Sequence, residues 1–222
     1  MLRELPRRGK RRTPSPKPKK SKDRAANSRH LKQREHILRH AAKLFAEAGY
    51  AVTTMDVLSE VTEMNKASLY YYFGSKRDIL FELSKISIAG GMQRALPATR
   101  MKSARDGLVH LIESGVQTLA AHENESRIFQ QENPYYKQIF STAQYKELVE
   151  LQRRYMKVVY EVLQQGIDSG EFGVVNVRLT GSLLVTWIIS SLRFLSYAGP
   201  HELAELLTTL LLPGFSGPTI SR

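Results

Sequence analysis

The chain lacks cysteine entirely over its 222 residues, which excludes disulfide bonds, thiol nucleophiles and thiolate metal ligands. It also lacks a glycine-rich phosphate-binding loop and the strained serine turn of the α/β-hydrolases, and no two carboxylates stand out as a catalytic pair. We therefore expect no enzyme and no cofactor. A chain without cysteine suits the reducing cytoplasm, where we expect the protein to act.

Histidine is also scarce, with six residues spread along the chain. Of these, His36 and His40 have the i,i+4 spacing with which one helix presents two metal ligands. No acidic residue is clearly placed to complete a ligand shell around them. We therefore expect no metal site and predict that both side chains face solvent or phosphate.

Long hydrophobic runs are missing as well. The most apolar stretch, residues 183–195, is shorter than the roughly 20 residues that cross a bilayer, and Arg193 and two serines interrupt it. The N-terminal segment has no apolar stretch of the kind that a secretory signal requires. We expect neither a membrane span nor a signal peptide.

Positive charge is concentrated at the N-terminus. Residues 1–30 hold 12 lysines and arginines against 2 acidic residues, in a chain whose net charge is +12. Because this segment has no apolar periodicity and is rich in proline and serine, we predict a disordered basic arm over residues 1–30. Such an arm adds phosphate contacts or enters a minor groove of DNA; the alternative is a solvated leader without a function.

The chain does contain helical periodicity. Apolar residues recur at spacings of three and four over most of its length, no segment sustains the period-two alternation of a strand, and no internal repeat is present. We predict an all-α protein. The longer helices are expected at about residues 31–48, 75–90, 104–122, 125–131, 142–168, 176–198 and 201–212.

Two short helices joined by a tight turn are predicted between Thr53 and Tyr72. Thr53 is placed to cap the first of them, with Asp56 three residues later, and Asn65 is placed to cap the second. The second helix is about two turns long and turns its polar and tyrosine side outward. This arrangement is typical of a helix-turn-helix, whose second helix enters the major groove of DNA.

The predicted DNA contacts lie on this second helix and around it. The small Ala67 side chain permits a close approach to the bases or contact with a thymine methyl group. Contacts to base edges are expected from Asn65, Ala67, Ser68 and Tyr71. The remaining predicted DNA contacts, chiefly to phosphate, are Thr53, Thr54, Lys66, Tyr70 and Lys76.

These motifs resemble a known family. K-A-S-L-Y-Y-Y-F (66–73), followed by S-K-R-D-I-L (75–80), is similar to the signature of the TetR family of transcriptional repressors, and so is I-L-R-H-A-A-K-L-F-A-E-A-G-Y (37–50). The similarity runs without a gap from Arg34 to Phe81. The chain departs from the family at Glu63 and Ala67, where glycine is frequent. Glycine suits a left-handed turn residue, so glutamate at position 63 is the costlier choice.

The domain organisation follows from these elements. We predict a helix-turn-helix domain over residues 31–80, a ligand-binding and dimerisation domain over residues 81–214, and a tail over residues 215–222. The fourth helix is capped by Ser75, with Asp78 at the capping-box position. It begins beside the DNA-reading helix and continues into the second domain, so we expect it to couple the two.

The helix at about residues 176–198 is apolar on nearly all sides and therefore needs a partner on the side away from its own core. We predict that it forms a four-helix bundle with the last helix and their copies in a second subunit, which is also the homodimer that the resemblance implies. The alternative is an internal core helix without a dimer role. The predicted dimer residues are Leu184, Ile188, Leu192, Leu195, Leu203, Leu207 and Leu210.

The second domain is also predicted to enclose a ligand cavity, because three amphipathic helices and one apolar helix can enclose more space than their side chains fill. Aromatic side chains that cluster there are candidates to line it, and arginines on these helices are candidates to meet an anionic ligand. For each aromatic residue taken singly, an ordinary place in the core is the alternative. The order of features after Arg127 is similar to TetR-type repressors of fatty-acid and steroid catabolism, which implies an acyl-CoA inducer. The predicted ligand-binding residues are Leu108, Ile112, Val116, Arg127, Phe129, Tyr155 and Trp187.

Together these features predict a homodimeric repressor that binds double-stranded operator DNA and is released from it by a small molecule. Two alternatives remain open from the sequence. One is an architectural DNA-binding protein without an inducer, and the other is a ligand carrier or enzyme whose basic tail binds acidic partners.

Overall fold

The computed structural model describes residues 19–173 and 176–215, and it confirms the predicted all-α fold. Over these residues all regular structure is helical. The α-helices are α1 (Lys19–Ala48), α2 (Met55–Val61), α3 (Lys66–Tyr72), α4 (Lys76–Ala95), α5 (Ala104–Ala121), α6 (Glu123–Glu132), α7 (Tyr136–Ile139), α8 (Thr142–Asp168), α9 (Val177–Ser190) and α10 (Pro200–Phe215). Short 3-10 turns lie at Leu96–Arg100, Asn133–Tyr135 and Ser191–Phe194.

The first helix is longer than predicted. It begins at Lys19, so the prediction of disorder is wrong for residues 19–30. The stretch behind Pro18 contains no further proline or glycine before the helix ends, and it is rich in lysine, arginine and alanine, which favour helices. Apolar periodicity, on which the prediction depended, detects only helices that bury a face. The rest of the predicted arm, residues 1–18, lies outside the described residues.

The last helix also extends past its predicted end. It ends at Phe215, which is buried against Phe172 with the ring centroids 5.4 Å apart. The carbonyl of Phe215 accepts the Gly173 N–H at 2.9 Å. The predicted tail is therefore wrong at residue 215, and residues 216–222 lie outside the described part of the chain.

The buried side chains form two cores. The N-terminal core holds the inner faces of α1 to α4, and it is completed by four residues from the segment of α6 to α8, namely Ile128, Tyr136, Phe140 and Leu148. The second core is built from α5, α8, α9 and α10, with Ala95 at the end of α4. The predicted domain boundary between residues 80 and 81 therefore does not separate two packing units.

Helix α4 contributes to both cores. As predicted, Ser75 caps it: the Asp78 N–H donates to the Ser75 hydroxyl at 3.3 Å, and that hydroxyl donates to the Asp78 carboxylate at 2.7 Å. The 20 residues of α4 span about 30 Å, since each helical residue rises by about 1.5 Å. In its buried middle, the Ser84 and Tyr136 hydroxyls are hydrogen-bonded at 2.6 Å. Helix α4 thus links the helix-turn-helix to the second core.

Candidate DNA-binding surface and ligand cavity

The outward side of α3 forms a polar, exposed surface. The Asn65 side chain caps the helix as predicted, because its Oδ1 accepts the Ser68 N–H at 2.8 Å. Leu69 is fully buried and fixes which side of α3 faces the N-terminal core. Ser68 is half-buried. The exposed residues on the opposite side are Asn65, Lys66, Ala67, Tyr70 and Tyr71.

The turn between α2 and α3 is held by a compact set of hydrogen bonds. Glu63 has φ of 53°, the left-handed conformation that glycine adopts at the lowest cost. The Thr62 hydroxyl donates to the Leu58 carbonyl at 2.6 Å, and the Ser59 hydroxyl donates to the Met64 carbonyl. Position 63 therefore keeps the left-handed turn that glycine would adopt, and these side-chain bonds help to hold it.

The residue that caps α2 is Thr54 and not Thr53. The Thr54 hydroxyl accepts the Val57 N–H at 3.3 Å and is exposed, and the cap leaves its own hydrogen available as a donor. Thr53 is buried, and its hydroxyl donates to the Gly49 carbonyl at 2.8 Å. The predicted DNA contact at Thr53 is therefore wrong, while Thr54 keeps a geometry suited to phosphate.

Lys76 was predicted to contact phosphate, but its ammonium group is already engaged within the protein. Its Nζ donates to the carbonyls of Tyr50, Ala51 and Thr53 at 2.9, 3.0 and 2.8 Å, which uses all three of its hydrogens. The same Nζ lies 4.5 Å from the centroid of the Tyr50 ring. Lys76 therefore holds the loop between α1 and α2 in place.

Glu132, at the end of α6, contacts the same loop. Its carboxylate accepts the backbone N–H of Tyr50. Burial raises the pKa of Glu132, and the nearby Lys76 charge and the Tyr50 N–H oppose that rise. Burial likewise lowers the pKa of Lys76, with Glu132 acting against it. Lys76 in α4 and Glu132 in α6 thus both bind the loop before α2.

A cavity of about 280 Å³ lies at the junction of the two cores. Ile88 and Phe129 on its wall belong to the N-terminal core, whereas Ile188, Leu119 and Val185 belong to the second core. The wall is mostly apolar and carries no charged side chain. Its polar residues are Ser87, Thr118, Ser126, Asn133, Gln152 and Tyr155.

The predicted ligand residues divide into three groups. Phe129 and Tyr155 lie on the cavity wall. Arg127 and Trp187 do not: Arg127 is exposed and pairs with Glu123 at 2.5 Å, and Trp187 is 48% exposed on the outer side of α9. This cavity therefore does not support the predictions for these two residues. Leu108, Ile112 and Val116 are fully buried in the second core and do not line the cavity.

Sequence reasoning missed most of the wall, because small residues within helices carry no distinct pattern. Gly91 on α4 and Gly115 on α5 both line the cavity. A Cβ atom at Gly115 would approach the Ile188 side chain to 2.7 Å, so the small residue there permits the close approach of α5 to α9. Ser126 and Gln152 were missed because single polar residues within helices do not show whether they face a cavity or solvent.

The outer side of α9 and α10 exposes a large apolar surface, although the residues predicted for it are mostly wrong. Leu184, Ile188, Leu192 and Leu203 are buried in their own subunit, because α9 is apolar on nearly every side and periodicity does not show which stripe faces inward. Leu195 and Leu207 are half-buried, and Leu210 is exposed. The exposed apolar surface, here named the outer face, consists of Leu179, Leu183, Trp187, Phe194, Tyr197, Leu206 and Leu210.

Comparison with known families matches both halves of this architecture. Residues 37–83 match the family model described as bacterial regulatory proteins, tetR family. Residues 101–215 match the model described as tetracyclin repressor-like, C-terminal domain. The chain belongs to the TetR family. It is accordingly a TetR-type transcriptional repressor with a DNA-binding domain, and not an enzyme.

Individual relatives of this TetR-family chain agree over most of its length. The transcriptional repressor KstR2 of Rhodococcus jostii is 27% identical over 194 residues, which cover 84% of this chain and 92% of the relative. The TetR-family regulator PfmR from Thermus thermophilus has a crystal structure with a TM-score of 0.72, at 25% identity, over 84% of this chain and 99% of that chain. The structure of AibR in complex with isovaleryl coenzyme A and operator DNA has a TM-score of 0.71, at 16% identity, over 82% of this chain and 98% of that chain.

Two absences hold for the described part of the TetR-family chain. No helix there combines the length and apolar character needed to cross a bilayer. No group of three or more potential metal ligands comes together there either. A ring nitrogen of His36 lies 3.2 Å from the Thr62 carbonyl oxygen, and a ring nitrogen of His40 lies 2.9 Å from the His36 carbonyl oxygen.

The three hydrogen bonds of Lys76 predict that its replacement lowers the stability of the protein. Lys76→Met removes the donor to three carbonyl groups, so we expect the free energy of unfolding to fall by about 1–3 kcal/mol. Urea denaturation followed by circular dichroism measures this change. Lys66→Met is the matched control: Lys66 is exposed and pairs with the exposed Asp56, so its replacement should change the stability little. Equal stability of both variants would show that the three bonds of Lys76 do not stabilise the loop.

Proposed function

We propose that this protein is a homodimeric repressor that leaves its operator when a small, mostly apolar molecule fills the cavity at the junction of the two cores. The observation that carries this proposal is the composition of the cavity wall. It combines residues of the core that supports the DNA-reading helix with residues of the core beneath the outer face. A ligand in this position contacts both parts of the protein.

We assign DNA reading to α3. The helix has one buried residue, Leu69, and an exposed polar side of a size that fits a major groove. Base-edge contacts are assigned to Asn65, Ala67, Ser68 and Tyr71. Phosphate contacts are assigned to Thr54, Lys66 and Tyr70. This set leaves out Thr53 and Lys76, because both are engaged by carbonyl groups of the protein itself.

The ion pair between Lys66 and Asp56 provides a test of the assignment of α3 to DNA binding. In the protein without DNA, the Lys66 Nζ lies 2.6 Å from the Asp56 carboxylate, and both side chains are more than half exposed. A phosphate can replace such a surface partner at little cost. Lys66→Ala should weaken operator binding and lower the salt slope by about 0.9 for each phosphate that is no longer neutralised. Asp56→Asn should strengthen binding, because it releases Lys66 and removes a negative charge beside the phosphate.

Both variants are measured by fluorescence anisotropy on labelled DNA from upstream of the gene, over a series of salt concentrations. The two changes act in opposite directions, so a general loss of folding cannot imitate the pattern. If both variants bind with unchanged affinity and slope, α3 does not contact the DNA backbone at Lys66.

We assign the homodimer to the outer face. Leu183 and Trp187 on α9 and Leu206 and Leu210 on α10 are each about half exposed or more, and apolar surface of this extent on a folded protein is typical of an interface. Two copies related by a two-fold axis would bury the same residues from each subunit. Four helices, two from each subunit, then form the predicted bundle.

The dimer is tested by placing a charge on the outer face. Leu183→Glu and Leu210→Glu should each convert the dimer to a monomer, because association would bury an unpaired carboxylate. Leu96→Glu is the matched control, since Leu96 is 46% exposed but lies in the 3-10 turn after α4. Sedimentation equilibrium gives the mass of each variant. A wild-type protein that sediments as a monomer at micromolar concentration would exclude the assignment.

Release by a ligand requires that the two states of the protein bind the ligand with different affinities. Helix α4 provides the physical connection, because it begins at the helix-turn-helix and lines the cavity with Ser87, Ile88 and Gly91. A shift of α4 changes the separation of the two reading helices in the dimer. A coupling free energy of about 1–3 kcal/mol is sufficient to regulate binding.

An acyl-CoA is the inducer that we favour. AibR, which has the same fold, is described in complex with isovaleryl coenzyme A and operator DNA, and the uncharged apolar wall of this cavity suits an acyl chain. Isovaleryl-CoA should raise the apparent dissociation constant for operator DNA by about 5- to 150-fold, whereas free coenzyme A should leave it unchanged. Anisotropy titrations measure both. Operator binding that no acyl-CoA alters would favour the architectural alternative.

A further inference from the structure

Ser87, Ser126 and Tyr155 on the cavity wall have hydroxyl groups that make no hydrogen bond among the described residues, and two of these are buried donors. The first belongs to Ser126 in α6, which is 2% exposed and whose Oγ has no partner. Serine and threonine within helices commonly donate to the carbonyl four residues earlier. Thr118, on the same wall, does so to the Ser114 carbonyl at 2.6 Å. Ser126 does not, so its donor stays unused beside the cavity.

The second hydroxyl belongs to Tyr155 in α8. Its ring packs against the second core, and within the described residues its hydroxyl makes no hydrogen bond. Burial alone raises the pKa of Tyr155 to about 12, so the phenol is a neutral donor at physiological pH. Tyr136 shows the usual arrangement, since its buried hydroxyl is bonded to Ser84. Tyr155 instead lines a cavity with its donor available.

The absence of charged side chains on the wall limits which ligand groups can bind beside these donors. All fifteen lining residues are uncharged, and the nearby Arg127 is exposed and paired with Glu123. A carboxylate or ammonium group placed in this cavity would lose its hydration without gaining an opposite charge, which is strongly unfavourable. A neutral oxygen acceptor, in contrast, needs only a hydrogen-bond donor, and Ser126 and Tyr155 each provide a buried one.

We propose that the Ser126 and Tyr155 hydroxyls recognise the neutral carbonyl oxygen of an otherwise apolar ligand, such as a thioester, an ester or a ketone. This proposal rests on the proposed function in taking the cavity as the inducer site, and it adds the chemical group that the site selects. An ionised fatty acid is excluded as the buried ligand, and a plain hydrocarbon lacks the acceptor.

The test uses probes that differ in one group and requires no DNA. 2-Octanone and S-ethyl thiohexanoate carry a neutral carbonyl, octane carries none, and octanoate carries a charge. Their binding to the full-length protein is measured by competition with a fluorescent apolar probe, N-phenyl-1-naphthylamine. We expect both carbonyl probes to bind more tightly than octane, and octanoate to bind most weakly at pH 7.5.

The variants identify the groups responsible. Tyr155→Phe and Ser126→Ala should each weaken binding of 2-octanone by about threefold to tenfold, the range expected for one hydrogen bond, and leave octane unaffected. Thr118→Val is the matched control on the same wall, because its hydroxyl already donates to Ser114; it should leave the ratio of ketone to octane affinity unchanged. Ser126→Ala should also melt no lower than the wild type without ligand, since it removes an unsatisfied buried group.

Several outcomes would overturn the proposal: equal affinity for 2-octanone and octane, unchanged ketone affinity in both hydroxyl variants, or octanoate as the tightest probe. The two proposals fail separately. If 2-octanone binds through both hydroxyls but leaves operator affinity unchanged, carbonyl recognition stands and ligand control is refuted. If an acyl-CoA releases the operator equally well from wild type and from both variants, ligand control stands and carbonyl recognition is refuted.

Discussion

The constraint on which the rest depends is that one helix, α4, is packed into two cores at once. Its first half supplies Ile79, Leu80 and Leu83 to the N-terminal core, and its end supplies Ala95 to the second core. Protein cores are close-packed, so a helix shared in this way cannot move in one core without disturbing the other. The cavity lies beside its middle, where Ser87, Ile88 and Gly91 form part of the wall. A molecule bound in the cavity would therefore contact the helix that both cores share.

The helix-turn-helix is consequently not an independent module on a flexible linker. Ile128, Tyr136 and Phe140, from α6, α7 and the residue after α7, complete its core, and Glu132 binds the backbone of Tyr50 in the loop before α2. Helix α6 also lines the cavity through Ser126 and Phe129. The loop before α2 is thus hydrogen-bonded to Glu132 at the end of α6, and the next residue, Asn133, lies on the cavity wall. This gives the proposed repressor a second physical connection besides α4.

Helix caps depend on residues that are close together in the chain, so they can be predicted from local sequence. The caps at Asn65 and Ser75 depend on residues three positions apart, and both were predicted correctly. The cap of α2 was not, because Thr53 and Thr54 are neighbours with the same hydroxyl, and only burial in the folded chain distinguishes them. Lys76 was misassigned for a related reason: its three carbonyl partners lie 23 to 26 residues away, beyond any periodic pattern. On α9, Leu183 and Leu184 are adjacent and equally apolar, yet Leu183 is exposed on the outer face and Leu184 is buried in the core, and periodicity does not distinguish them.

The uncharged cavity also determines how selective such a repressor can be. An apolar pocket distinguishes ligands that differ by one methylene group by only about 10- to 200-fold, since it senses little more than size. A buried donor adds selectivity of another kind, because a ligand without an acceptor forgoes a hydrogen bond, which lowers its affinity by about threefold to tenfold. Ser126 and Tyr155 place two such donors in a wall that is mostly apolar and carries no charged side chain. With the proposed carbonyl recognition, the apolar wall would sense chain length and the two hydroxyls would sense the carbonyl group. A repressor of this design would distinguish an activated acyl group from the free acid without any charged residue in the cavity.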